Sequence, residues 1–174
     1  ARGGDFERAF GAGLAAHVHL PVQSGSDRVL KRMIRRYTRA TYLEKISALV
    51  RSRRGLTLST DLIVGFPGET DSEFEQLCSF VRSVGFDHLG VFTYSHEEGT
   101  SAYDRADDVP AATKKKRQDR LMARQRDLVA ARQRARLGER TRLVVDGRSP
   151  EHELVVQGRL PGQAPDIDPV VYLT

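Results

Sequence analysis

The chain has 174 residues, 39% of them hydrophobic, a net charge of +5 and one cysteine. That composition is too apolar for a disordered chain and too poor in thiols for a disulfide framework. No apolar run approaches the ~20 residues of a membrane span and no secretory signal stands at the start, so no membrane partner and a cytosolic setting are expected.

The first predicted element is a strand at His17–Val22, "HVHLPV". Its alternating His17 and His19 form a candidate metal pair, but without a third ligand they are read as strand polarity. "QSGSD" is a turn, and Ser26 or Asp27 caps a short helix through Val29, Leu30 and Met33. A second helix follows from Thr41, with Tyr42, Leu43, Ile46, Leu49 and Val50 as its inner face. The next strand, Thr57–Val64, ends in Gly65, Pro67 and Gly68, which supply a tight turn. Thr70 and Glu73 have the spacing of a capping box, and Phe74, Leu77, Cys78, Val81 and Val84 recur at helical spacing up to Gly85, a left-handed C-cap. Cys78 is therefore a packing residue. A third strand follows at His88–Tyr94. Strand, helix, strand with short links is a βαβ unit, so the three strands are expected to be parallel, with helices on one side and two unpaired edges.

Ligands of parallel α/β sheets bind where strands end and helices begin, which makes Asp61 and the glycines after it candidate site residues. "GFPGET" is not a phosphate loop, because the Gly-Lys-Ser/Thr ending is missing. His96, Glu97 and Glu98 read as a polar loop.

Charge is segregated along the chain. Residues 61–113 hold 2 Lys/Arg against 11 Asp/Glu, and residues 114–142 hold 12 against 3. The segment Lys114–Arg136 reads as a long basic helix with a narrow apolar seam of Leu121, Met122, Leu128 and Val129. Such a helix either grips an acidic partner such as RNA or covers a sheet edge with a solvated face. From Arg140 the pattern changes to short β runs with Gly turns, "TRLVVDG", "HELVVQGRL" and "PVVYLT", the beginning of a small all-β module.

Three blocks, "HLPVQSGSDRVLKRMIRRYT", "STDLIVGFPGETDSEFE" and "GVFTYSHEEGTSAY", stand in an order and spacing that resemble the second half of the radical S-adenosylmethionine methylthiotransferases, followed by the start of a TRAM domain. The resemblance implies a partial (β/α) radical SAM barrel of about three β/α units over residues 1–137 and an incomplete TRAM-like module over residues 138–174. It also implies two cofactor types in the intact enzyme: S-adenosylmethionine and two 4Fe–4S clusters. One cysteine cannot supply the ligands of either cluster, so the chain reads as a fragment lacking the cluster-binding half and inactive alone.

The same resemblance points to Gln23, Ser24, Ser26, Arg35, Asp61, Gly65, Phe66, Phe92 and Tyr94 as the S-adenosylmethionine contacts, with Arg35 on the methionyl carboxylate and Phe92 and Tyr94 near adenine. No residue of the chain is assigned a catalytic or metal-binding role. "FTYSHEEGT" and "GRLPGQAPDIDPVVYLT" resemble the branch that modifies an aspartate of a small-subunit ribosomal protein. "HLPVQSGSD" is closer to the branch that modifies a tRNA adenosine. The first branch is favoured, because Glu97, Glu98 and an acidic tail around Asp166 and Asp168 suit a basic protein partner. A non-catalytic fragment that binds RNA or the ribosome through the basic helix and the TRAM module is the alternative from another class.

Overall fold

A computed structural model describes residues 16–52, 55–163 and 169–173; the acidic tail at Asp166 and Asp168 lies outside them. The elements in chain order are β1 (His17–His19), α1 (Asp27–Arg32), α2 (Arg39–Ser52), β2 (Thr57–Val64), α3 (Asp71–Val84), β3 (His88–Thr93), α4 (Ala111–Ala135), β4 (Val144–Arg148), β5 (Val156–Arg159) and β6 (Val171–Leu173). No described helix is long and apolar enough to cross a membrane.

By contacts the chain forms two units. Among the described residues the larger comprises residues 19–46 and 58–135, the smaller residues 16–18, 47–52, 55–57, 136–163 and 169–173. The first sheet has the order β1-β2-β3, and β3 runs parallel to β2 with Asp61 opposite Gly90 and Ile63 opposite Phe92. Beside β2 on its other edge, Gln23 donates its N–H to the Asp61 carbonyl and accepts the Ile63 N–H, both at 2.9 Å, the slanted pattern of a parallel pair. The three parallel strands are those expected from the sequence.

The first strand is shorter than the expected His17–Val22. Pro21 has no N–H for a ladder, so the regular strand stops at His19 and a single bridge resumes at Gln23. The Thr60 hydroxyl repairs the gap, accepting the Val22 N–H at 2.9 Å and donating to the Leu20 carbonyl at 2.8 Å. The helix expected from Thr41 begins at Arg39, because the Thr38 hydroxyl takes the Thr41 N–H as its cap.

In β2 the residues at even positions from Leu58 to Val64 are buried, while Asp61 and Ile63 are half-buried. The buried side faces helices: the Tyr42 hydroxyl of α2 reaches Leu20 O and the Thr60 hydroxyl, and the Tyr42, Phe80 and Phe86 rings meet with centroids about 6 Å apart. Asp61, Ile63, Gly90 and Phe92 occupy the opposite, open face. At α3 the capping box forms as expected, and Gly85 closes the helix at φ 64°.

The basic helix α4 departs from expectation. Its buried stripe is Lys114, Arg117, Leu121 and Gln125, at spacings of three and four, whereas Met122, Leu128 and Val129 are only partly covered. The reason is what the helix covers. It lies along β3, whose outer edge presents bare carbonyls, and such an edge needs donors more than hydrocarbon. Gln118 Nε2 donates to Val91 O at 2.7 Å, Gln125 Nε2 to Phe86 O and Asp87 O, and Lys114 Nζ to Tyr94 O. The β3 edge expected to be unpaired is thus covered by α4, whose side chains donate to the Val91 carbonyl and to carbonyls just before and after the strand.

The segregated charges meet inside the larger unit. Lys114 pairs with Asp107, Arg117 with Glu69 and Asp71, Arg120 with Glu75, and Arg132 with Asp87. In the smaller unit β4, β5 and β6 form an antiparallel sheet in that order, with an irregularity between Val145 and Gly147. His17 Nδ1 lies 3.1 Å from Gly162 O in the same unit.

Candidate functional site

A cavity of about 440 Å³ opens where β2 and β3 end, within the range of small-molecule sites. Its walls come from four places: Gln23 after β1, Met33 and Arg35 after α1, Asp61, Ile63 and Phe66 on and after β2, and Phe92 to Ser95 with Thr100 to Ala102 around the end of β3. Six of the nine residues assigned from sequence meet there: Gln23, Arg35, Asp61, Phe66, Phe92 and Tyr94.

Ser24, Ser26 and Gly65 are not on the wall. Ser24 and Ser26 are buried, and their hydroxyls serve the fold. Ser24 Oγ accepts the Ser26 N–H at 3.2 Å. Ser26 Oγ caps α1 by accepting the Val29 N–H and donates to Glu73 Oε1 at 3.0 Å. Gly65 has φ 71°, and a Cβ there would collide with the Lys114 side chain. The tight turn it makes brings Phe66 back to the cavity, where its ring packs edge-on against Tyr94 with centroids 5.2 Å apart.

The turn below the cavity is fixed by buried carboxylates. Glu69 Oε2 accepts the Gly65 N–H at 2.7 Å and Arg117 Nη1 at 2.7 Å. Burial pushes the Glu69 carboxyl above its ordinary value, against the pull of the Gly65 amide and Arg117. The Arg28 guanidinium, opposed by burial and helped by Thr70 and Ser26, holds the Glu73 carboxyl down at about 2. Behind the wall, Lys114 Nζ stands 5.0 Å from the Tyr94 ring centroid and 2.6 Å from Asp107 Oδ2.

Two cavity groups are left for a ligand. Among the described residues the Gln23 carboxamide and the Arg35 guanidinium have no hydrogen-bond partner. Gln23 also holds φ 70°, a conformation that costs a non-glycine residue about 1–2 kcal/mol. Asp61 adds a carboxylate on the same wall, and His19 Nε2 is 3.2 Å from its Oδ2. A cation, an anion, a free amide and three aromatic rings suit a zwitterionic ligand with a flat ring system, which is the chemistry of S-adenosylmethionine.

An iron–sulfur cluster is another matter. Cys78 is the one thiol, buried in α3, where burial raises its pKa. No group of three metal-ligating side chains occurs among the described residues. The cluster ligands do not lie in this chain. His17 and His19 do not form a metal pair, since each imidazole turns to a separate hydrogen-bond partner.

Sequence reasoning missed Met33, Ile63, Thr93, Ser95 and Thr100–Ala102. Ile63 was findable, since it stands two residues beyond Asp61 on a strand and shares its face. The return of the loop to Ala102 has no such signal.

The model of the radical SAM superfamily matches residues 4–81. The chain is 52% identical over 138 residues to a tRNA-2-methylthio-N(6)-dimethylallyladenosine synthase of Sorangium cellulosum, covering 79% of the chain and 28% of that protein. It is 45% identical over 161 residues to a ribosomal protein uS12 methylthiotransferase RimO of Anaeromyxobacter sp. strain K, covering 92% of the chain and 34% of that protein. The chain thus spans about a third of the length of these curated relatives. In three dimensions it is similar to coproporphyrinogen III oxidase (HemN) of Escherichia coli, a radical SAM enzyme, with TM-score 0.54 and 22% identity over 73% of the chain and 29% of that structure.

Proposed function

Because the chain belongs to the radical SAM enzymes and is related to their methylthiotransferases, we propose that it is the later part of a methylthiotransferase barrel and that its cavity holds S-adenosylmethionine. The observation that carries this is the convergence of Gln23, Arg35, Asp61, Phe66, Phe92 and Tyr94 on one cavity at the strand ends. Arg35 offers a bidentate fork to the methionyl carboxylate. Asp61 accepts from the ligand's ammonium or hydroxyls, Gln23 from or to its nucleoside, and the aromatic rings flank adenine. Bound there, S-adenosylmethionine supplies radical chemistry together with two 4Fe–4S clusters whose ligands lie outside this chain. The residues of the chain bind and orient it and exclude water with Phe66 and Tyr94.

In the full-length enzyme, Arg35→Ala and Asp61→Ala are each expected to weaken S-adenosylmethionine binding by about tenfold to a hundredfold, since a charge-assisted hydrogen bond is worth about 1.5–3 kcal/mol. Calorimetry reads the change. Unaltered affinity in both variants rules the cavity out.

The substrate proposed is an aspartate of a small-subunit ribosomal protein. Relatives named RimO match a longer stretch, 161 residues against 138 for the tRNA enzyme. The exposed Glu97 and Glu98 beside the cavity loop repel phosphate and attract a basic protein. Four basic side chains of α4, those of Lys114, Arg117, Arg120 and Arg132, pair with acids of residues 69–107, which weakens the case for α4 as an RNA grip. The 52% identity to a tRNA enzyme favours the second reading, modification of a tRNA adenosine. Mass spectrometry of ribosomal protein and tRNA after incubation with the full-length enzyme, reductant and S-adenosylmethionine decides. A methylthio group on the protein aspartate alone is expected, and one on the tRNA alone overturns the substrate.

A further inference from the structure

Gly90 sits in the interior of β3, where glycine ordinarily weakens a strand. Its φ is not positive, so backbone freedom does not explain it. Space does. A Cβ at this position would collide with Asp61 Oδ1, directly across the ladder, and would lie 3.1 Å from a Phe92 ring atom. The other carboxylate oxygen, Oδ2, is met by His19 Nε2 at 3.2 Å. The second ring nitrogen of His19 is fixed by Ser59 Oγ at 2.9 Å. Asp61 thus lies in a notch with no side chain beneath one oxygen and an oriented imidazole at the other, and it forms part of the cavity wall.

We propose that Gly90 and His19 are positioning residues that act through Asp61, setting its carboxylate to accept from a cationic or hydroxyl-bearing ligand. The inference rests on the reading of the cavity as an S-adenosylmethionine site. In the absence of the notch the carboxylate must rotate off its place. In the absence of the imidazole it is free to turn.

The test uses the full-length enzyme and S-adenosylmethionine, with calorimetry for affinity and urea unfolding for stability. Gly90→Ala is expected to weaken binding about tenfold while the unfolding midpoint stays or rises, since alanine is favoured over glycine in a strand. In an Asp61→Ala background the same substitution is expected to change affinity no further, because its target is gone. His19→Ala, a change at a half-exposed side chain that the fold tolerates, is expected to weaken binding several-fold, and His19→Gln, which keeps a donor, to restore most of it. Full affinity in both Gly90→Ala and His19→Ala, or losses that add to that of Asp61→Ala, overturns the proposal. A wild-type enzyme that does not bind S-adenosylmethionine overturns the reading of the cavity and this proposal with it.

Discussion

Arg117→Ala is expected to cost about 3–5 kcal/mol of stability at neutral pH, the loss seen when one partner of a buried ion pair is removed. Arg117 Nη1 is 2.7 Å from Glu69 Oε2, and both side chains are almost wholly shielded from water. Glu69 Oε1 has no partner among the described residues, so without Arg117 the carboxylate keeps only the Gly65 N–H and no positive charge beside it. The pH dependence follows from the sign of the shift. Burial already raises the Glu69 carboxyl, so the folded state holds its proton more tightly than the unfolded state. Removing Arg117 raises it further. The variant's deficit should therefore narrow as pH falls through its further raised value and stop narrowing once pH is below the wild type's own raised value, where both folded states hold the proton. Glu69→Gln in the same background should recover most of the loss while still accepting the Gly65 N–H. Urea unfolding over a series of pH values from neutral into the acid range measures this, and a deficit that does not change with pH places its origin elsewhere.

The second large effect rests on a carboxyl shifted in the opposite direction, downward. Glu73 ties the start of α1 to the start of α3: it accepts from the Arg28 guanidinium at 2.6 and 2.7 Å, from the Ser26 hydroxyl that caps α1, and from the Thr70 N–H that opens α3. With its carboxyl held at about 2, chiefly by Arg28, it contributes stability that is present above the ordinary value of 4.5 and lost as pH falls from there to about 2. The full shift would correspond to about 3 kcal/mol, but Arg28 is half exposed, and water screens the pair. Glu73→Gln is expected to cost about 1–2 kcal/mol at pH 7 and to flatten the acid limb of the stability curve. An acid limb of unchanged slope would refute the assignment.

These two carboxylates mark where sequence reading stopped. The capping box of Thr70 and Glu73 was legible because both residues are local and three apart. The reach of Glu73 to Arg28 and Ser26 was not, because it joins positions 45 and 47 residues away in sequence. The three parallel strands were legible from short apolar runs between turn signals. The early end of β1 required knowing that Thr60 would replace the donor that Pro21 lacks. At the cavity, Asp61 could be placed by the strand end alone, whereas Phe66 and Tyr94 came from the resemblance to the family. Whether Ser26 would cap a helix or face a ligand was not legible, because a capping hydroxyl and a ligand hydroxyl look identical in a sequence; in the structure it caps α1. The opposite charges of residues 61–113 and 114–142 were visible, but whether they would meet each other or a partner depended on tertiary contacts that only the fold supplies.

The polar inner stripe of α4 has a consequence for how substrates can approach. Many domains recognise an extended peptide by letting it join an exposed sheet edge as one more strand, with main-chain hydrogen bonds supplying the affinity. At β3, α4 occupies that edge, with Gln118 donating to the Val91 carbonyl and Gln125 and Lys114 to the flanking Phe86 and Tyr94 carbonyls. A polypeptide reaching the cavity from this side must therefore be read through its side chains by loops such as His96–Thr100. For the protein substrate proposed above, register is then not set by backbone pairing at this edge, and discrimination falls to charged and aromatic contacts at the mouth.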